Sequence, residues 1–377
     1  MSWRRFRAIF HKEALHILRD WRSLMMALAV PLLLLLLFGY ALTLDVDRIP
    51  TVIYDQNQTP QSRELVERFQ GSRFFQIVER QGNYREIVRR IDHGSALLGV
   101  VIPQDYARRV EANEDVAVQL LVDGSDSNTA SIAAGYAEAL ILAYSTELRE
   151  RQLVRRGVGA LKPPIETRAR VLYNNELKSR NFIVPGLIAV ILMIIAALLT
   201  SLTIAREWEN GTMEQLLSTP VRPAELLLGK LCAYFVLGMA DMAISLGVGV
   251  GVFGVPMRGS TWLLVGTSGL FLFGALCWGI LLSTVTRSQL LAYQASLLSS
   301  FLPAFLLSGF VFAIENMPFV IQQFTRIVPA RYFVAILKGI FLKGVGMEVL
   351  WAQALFLLAY AALVFTLASR KMRQKIA

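Results

Sequence analysis

Cysteine and histidine are scarce in this chain, with two of the first and three of the second among 377 residues. Cys232 and Cys277 both sit in long apolar runs, so neither a disulfide framework nor a cysteine metal cluster is available. His11 and His16 stand five apart, off the i, i+4 spacing of helical ligand pairs, and His93 is alone. Solvated or interfacial histidines are therefore expected, and no metal site. Charge is also thin, at 18% against about a quarter in soluble domains. Motifs of enzymatic chemistry are missing as well. Gly229-Lys230 lacks the rest of a phosphate-binding loop, and there is neither a nucleophile elbow nor an H-E-x-x-H pair. Asp123 and Asp126 read as turn and cap residues. The chain is expected to be no enzyme, to have no catalytic residue and to bind no cofactor of its own.

Apolar residues are plentiful, at 55%, with a mean hydropathy of +0.49. The net charge of +10 would suit a nucleic-acid binder if it lay on a soluble domain. It does not. Residues 45–181 hold 19 basic and 19 acidic side chains, which leaves 19 of the 38 basic and 9 of the 28 acidic residues for the rest. Arg4, Arg5, Arg7, Lys12, Arg19 and Arg22 precede the first apolar run, and Arg370, Lys371, Arg373 and Lys375 follow the last. Basic residues beside spanning helices mark the cytoplasmic side, so the charge predicts topology and no nucleic-acid partner.

A spanning helix needs about 20 largely apolar residues. Runs of that kind fall at 24–44, 182–205, 231–256, 259–286, 288–314 and 349–369, the third broken only by Asp241 and belonging to a span at 226–256. The pattern predicts an α-helical membrane protein with six transmembrane helices. An even count with basic ends puts both termini in the cytoplasm, the second as a basic tail at 370–377. The first run exceeds the h-region of a cleaved signal peptide and lacks a convincing cleavage site, so it reads as an uncleaved anchor. Residues 1–23, with Phe6, Ile9, Phe10, Leu15, Leu18 and Trp21 among the arginines, read as an amphipathic helix on the inner leaflet.

Between the first two runs, residues 45–181 alternate strand and helix patterns. Ile49–Tyr54, Phe74–Glu79, Leu97–Ile102 and Val116–Val122 read as strands. Gln61–Phe69, Tyr84–Ile91, Gln104–Ala112 and a long stretch from Ser127 to Arg156 read as helices. This predicts an inserted extracytoplasmic α/β domain with a largely parallel sheet, between helices 1 and 2. Asp123-Gly124-Ser125-Asp126 supplies a turn and cap, Lys162-Pro163-Pro164 ends the long helix, and Ile165–Val171 reads as a returning strand. Residues 315–348 carry Arg326, Arg331, Lys338 and Lys343 on the outer side, and so read as a re-entrant or interfacial segment. Tyr332, Phe333, Ile336, Leu337, Ile340 and Phe341 recur there at helical spacing.

Asp241 is a candidate for the substrate path, because carboxylates inside a membrane are functional by default. It would attract a cationic substrate or pair with a polar group on a neighbouring helix; the sequence favours neither. The inner loop 206–222 contains Arg206-Glu207-Trp208-Glu209-Asn210-Gly211-Thr212-Met213-Glu214-Gln215-Leu216-Leu217-Ser218-Thr219-Pro220, a break and cap followed by a short helix and a stop. It suits docking of a cytosolic partner or a solvated connector alike.

That stretch resembles the R-E-x-E-x-G-T-x-E-x-L-x-x-[ST]-P signature of ABC transporter permeases of the type-2 exporter class. Lys12-Glu13, Arg19-Asp20, Pro31 to Tyr40 and Pro329-Ala330-Arg331-Tyr332 agree with it. The layout is similar to the subgroup with a large extracytoplasmic domain, the bacterial multidrug-type export permeases. The resemblance implies a permease subunit of an ATP-driven exporter in the bacterial inner membrane, moving a hydrophobic or amphipathic substrate. Arg206, Glu207, Trp208, Glu209, Gly211, Thr212 and Glu214 would couple to a separate ATPase subunit, which would carry the ATP. Residues 1–23 would be the elbow helix, and Pro329, Ala330, Arg331 and Tyr332 would belong to the outer re-entrant hairpin. Two ATPase copies, a second permease chain, identical or sister, membrane lipid and a periplasmic adaptor are the implied partners. A membrane-anchored sensor and an envelope-assembly protein acting through the outer domain are the competing readings. The short tails and loops leave the sensor no cytosolic output domain.

Overall fold

The computed structural model describes residues 2–41, 48–80, 82–112, 114–155, 173–174, 178–219 and 221–376. The chain divides into two compact units, 45–170 and the remainder. It opens with α1 (Trp3–Arg19) and α2 (Trp21–Ala41), separated at Asp20, whose N–H bonds the His16 carbonyl. Ile9, Glu13 and Ile17 are the buried residues of α1, spaced four apart on one face, while its arginines stay outside.

The 45–170 unit follows with β1 (Ile49–Asp55), α3 (Pro60–Gly71), β2 (Phe75–Arg80), α4 (Tyr84–Asp92), β3 (Leu98–Ile102), α5 (Tyr106–Ala112), β4 (Gln119–Val122) and α6 (Ser127–Arg155). The sheet order is β2-β1-β3-β4, parallel between β2, β1 and β3 and antiparallel between β3 and β4. All five residues of β3 are buried, as a strand covered on both faces requires. One face packs Ile49, Ile53, Leu98 and Val100 against Leu65, Phe69 and Ala137; the other packs Val52 and Val101 against Ile87. The last strand is shorter than its apolar run, because residues 114–118 precede it as irregular backbone. Asp123 accepts the Ser125 N–H at 3.0 Å, and these hydrogen bonds hold its carboxyl below the usual range. Asp126 accepts from Thr129 at the start of α6. The expected Lys162-Pro163-Pro164 stop and the strand at 165–171 lie outside the described residues.

The chain then continues with α7 (Ser179–Glu209), α8 (Thr212–Leu217), α9 (Pro223–Gly251), α10 (Thr261–Thr286), α11 (Gln289–Leu306), α12 (Phe319–Thr325), α13 (Pro329–Lys338) and α14 (Met347–Ile376). Helix α7 is buried along almost its whole length and packs against α2, α9, α10, α11 and α13. Four described helices are long and apolar enough to cross a bilayer by length and composition: Ser179–Glu209, Pro223–Gly251, Thr261–Thr286 and Met347–Met372; Ala27–Ala41 is a shorter apolar helix. The 288–314 run is helical only to Leu306. Pro303 lies inside its last turn, and Gly309 turns the backbone with φ of 76°.

Segment 315–348 folds into α12, α13 and a π-turn over Gly339–Lys343. In α13, Pro329, Ala330, Phe333, Val334, Ile336 and Leu337 are buried. The polar partners are local: Arg331 donates to Thr325 Oγ1, and the Tyr332 hydroxyl donates to the Arg326 carbonyl at 2.9 Å. Lys338 donates to the Gly309 carbonyl at 3.1 Å, with its ammonium 3.4 Å above the Phe182 ring centroid.

Candidate functional site

The signature stretch is not an open loop from its start. Helix α7 runs on through Arg206-Glu207-Trp208-Glu209 before breaking at Asn210-Gly211. Gly211 precedes α8 with φ of 69°, a conformation costly for a residue with a Cβ, and so the glycine lets a helix end and another begin within two residues. Thr212 Oγ1 then bonds back to the Glu207 carbonyl at 3.3 Å. In α8, Met213 is buried at 1% exposure and anchors the helix, whereas Glu214 and Gln215 face outward.

The three glutamates of the motif have different environments. Glu207 is 8% exposed, and its Oε1 accepts from Lys230 Nζ at 2.9 Å and Lys12 Nζ at 3.2 Å. Glu209 accepts the Gln289 N–H at 2.7 Å, a carboxylate at the N-terminus of α11 where unpaired N–H groups favour it. Glu214 is exposed on α8, as Glu209 is at the end of α7. Arg206 reaches Asp20 at 3.9 Å and Gln289 at 3.4 Å, and the Trp208 ring lies 4.4 Å below the Arg287 guanidinium.

Lys230 is the centre of this arrangement. It is 1% exposed and donates to Glu13 Oε1 at 2.8 Å as well as to Glu207. A buried ammonium between two carboxylates ties α1, α7 and α9 together, and Lys12 closes the cluster. Burial alone would push the Glu13 carboxyl up, but the Lys230 and Lys12 charges outweigh it and hold the carboxyl below its ordinary value. The helices approach this closely because residue 229 is glycine: a Cβ there would meet Ile9 Cγ2 at 2.6 Å. A second clamp lies at the other end of α1, where Glu225 accepts the Ser2 N–H at 2.6 Å and the Arg222 N–H at 3.2 Å, with Arg5 at 3.6 Å. The sequence held one signal for this cluster, a lysine eight residues into a helix that is apolar around it; such a charge requires a partner.

Asp241 stands apart, 3% exposed on α9. Among the described residues its Oδ1 has no hydrogen-bond partner, and a cavity of about 10 Å³ beside it is walled by apolar side chains including Leu192, Ile195 and Leu272, with Tyr234 at one side. The motif residues 329–332 belong to α13 and do not meet the Arg206–Leu217 stretch; Pro329 and Ala330 line a separate cavity with Trp278, Ser299 and Tyr360.

Beside the Lys230 cluster lies a groove of about 230 Å³, bounded by α1, α7 and α9 with Tyr293 of α11. Its lower end is charged and its upper end aliphatic.

Comparison with known proteins agrees with the motif. A match to the ABC-2 family transporter proteins covers residues 21–370. The chain is 39% identical over 377 residues to the probable multidrug ABC transporter permease YbhS of Escherichia coli, spanning 100% of this chain and 98% of that protein. It is 32% identical over 369 residues to the probable multidrug ABC transporter permease YbhR of Escherichia coli, with 98% of each covered. The inner membrane transport permease YhhJ of the same organism is 29% identical over 332 residues, 87% of this chain and 86% of that one. The chain belongs to the ABC-2 family of transporter proteins.

Proposed function

We propose that this ABC-2 family chain is the permease subunit of a multidrug-type exporter in the bacterial inner membrane, driven by a separate ATPase on which ATP is bound. Six spans carry it, α2, α7, α9, α10, α11 and α14, with both termini and α8 on the cytoplasmic side and the 45–170 unit outside. Family membership supports the ATPase partner, since ABC-2 permeases work with an ATPase subunit. The names of YbhS and YbhR support a multidrug-type cargo, of hydrophobic or amphipathic character. Two ATPase copies, a second permease chain and a periplasmic adaptor complete the transporter in this reading.

The observation that carries this reading is the shape of the signature. Its second helix, α8, buries Met213 and exposes Glu214 and Gln215, while the preceding turn is bound through Glu207 and Lys230 to α1. A partner pushing on α8 therefore moves α7, α9 and α1 together. Ion pairs at a partly buried interface lose about 2–5 kcal/mol when one member is removed. Glu214→Lys at wild-type expression should release the co-purifying ATPase or uncouple it from export. Normal ATPase recovery and normal export in that variant would refute docking through α8.

A further inference from the structure

We propose that the groove beside the Lys230 cluster binds an anionic amphiphile, a phospholipid of the inner leaflet whose phosphate sits at Lys12, His16 and Arg206. The placement in that leaflet rests on the permease topology above; the chemistry rests on the groove itself. Its wall on α7 runs from Ile195 through Leu198, Leu199 and Leu202 to Arg206. Eleven residues at 1.5 Å each make this about 16 Å from the aliphatic end to the charged end. A site that changes from hydrocarbon to charge along one axis matches a molecule built the same way.

The sign of the head follows from which charges remain accessible. Both carboxylates in the lining, Glu13 and Glu207, are buried at 4% and 8% exposure and share the ammonium of Lys230, with the more exposed Lys12 ammonium at 3.7 and 3.2 Å from them. The cations at the mouth are open, Lys12 with 55% of its side chain exposed and Arg206 with 35%, and the His16 ring lies beside them on the exposed face of α1 as a hydrogen-bonding group. Asp20, 3.9 Å from Arg206, offsets part of this charge. The arginines of α1 add to the positive potential that draws anionic headgroups to a juxtamembrane basic segment. Asn210 and Thr212 offer further polar groups at the same end.

The test is native mass spectrometry of the full chain in neutral detergent, titrated with phosphatidylglycerol and with phosphatidylcholine of the same acyl chains. One phosphatidylglycerol should be retained in preference to phosphatidylcholine. Lys12→Gln should weaken its binding about fivefold, the effect of one basic charge near a lipid surface, and leave phosphatidylcholine unchanged. Leu202→Trp, which blocks the aliphatic wall one turn from the charged end, should reduce retention through loss of the chain site. Dodecyl phosphate should displace the lipid, and inorganic phosphate at the same concentration should not. Equal retention of the two lipids, or indifference to both substitutions, would overturn the site. Displacement by inorganic phosphate would overturn the lipid as its occupant, and stronger displacement by dodecyltrimethylammonium would overturn the sign of the head. No ATPase enters this measurement, so its outcome is separable from that of the Glu214→Lys experiment.

Discussion

Replacing Lys230 by methionine keeps a side chain of similar reach and removes the charge on which Glu13 and Glu207 converge at 2.8 and 2.9 Å. Lys12, at 3.2 and 3.7 Å, can serve one of the two carboxylates, so one is left buried without a cation. That group escapes by taking up a proton. From an ordinary carboxyl value of 4.5, protonation at pH 7 costs about 3.4 kcal/mol, at about 1.36 kcal/mol per pH unit. This falls within the 3–5 kcal/mol typical of breaking a buried pair, roughly. The same arithmetic leaves about 0.7 kcal/mol at pH 5. The wild type moves the opposite way. Its Glu13 value is lowered in the fold, so the stability this gives is present above the ordinary value and fades as pH falls through the lowered one. The gap between variant and wild type should therefore be wide at pH 7 and narrow at pH 5, measured as unfolding free energy of the purified chain in mixed micelles. Adding Glu207→Gln should recover most of the loss, since Lys12 then serves Glu13 alone. An equal gap at both pH values, or an additive double variant, would refute the reasoning and assign the loss to packing.

Gly229→Ala should cost about 1–3 kcal/mol, the range for overpacking, because the new Cβ meets Ile9 at 2.6 Å; Ile9→Ala should restore stability in the double variant if that contact is the cause. Glu209→Ala removes the acceptor of the Gln289 N–H at 2.7 Å and should lower the thermal unfolding midpoint of the purified chain, with Glu209→Gln, which keeps an acceptor oxygen of the same reach, losing less. A cysteine at Asp123, with Cys232 and Cys277 replaced, should react with an impermeant thiol reagent in intact cells, and one at Glu214 only after the membrane is opened; the reverse would overturn the charge-based topology. Asp241→Asn should leave folding intact or improve it, because among the described residues Oδ1 has no hydrogen-bond partner and no basic side chain lines the adjoining cavity. Selective loss of export of cationic compounds in that variant would place substrate beside it, and equal loss of neutral ones would refute a charge-selecting role.

Several elements were legible from local pattern alone. Strands β1 to β3 and helices α3, α4 and α6 fall within a few residues of their expected bounds, because apolar periodicity and the Asp123-Gly124 turn act over neighbouring residues. The helical break at Asn210-Gly211 was legible for the same reason, glycine being suited to positive φ. Four of the apolar runs fall on the described helices long and apolar enough to cross a bilayer, but the runs did not disclose where α11 would stop, since hydropathy continues past Leu306 while Pro303 and Gly309 end the helix. The signature glutamates look alike in sequence and differ in space. Only the packing of α1 across α9 turns Glu207 inward to Lys230, gives Glu209 to α11 and leaves Glu214 outside. Glu13 and Lys230 are 217 residues apart, and no local spacing could pair them. Composition and periodicity determine which segments leave water, because each residue's transfer cost is its own. Which charges meet once there is decided by the tertiary structure, where a buried ion is tolerated only beside its partner.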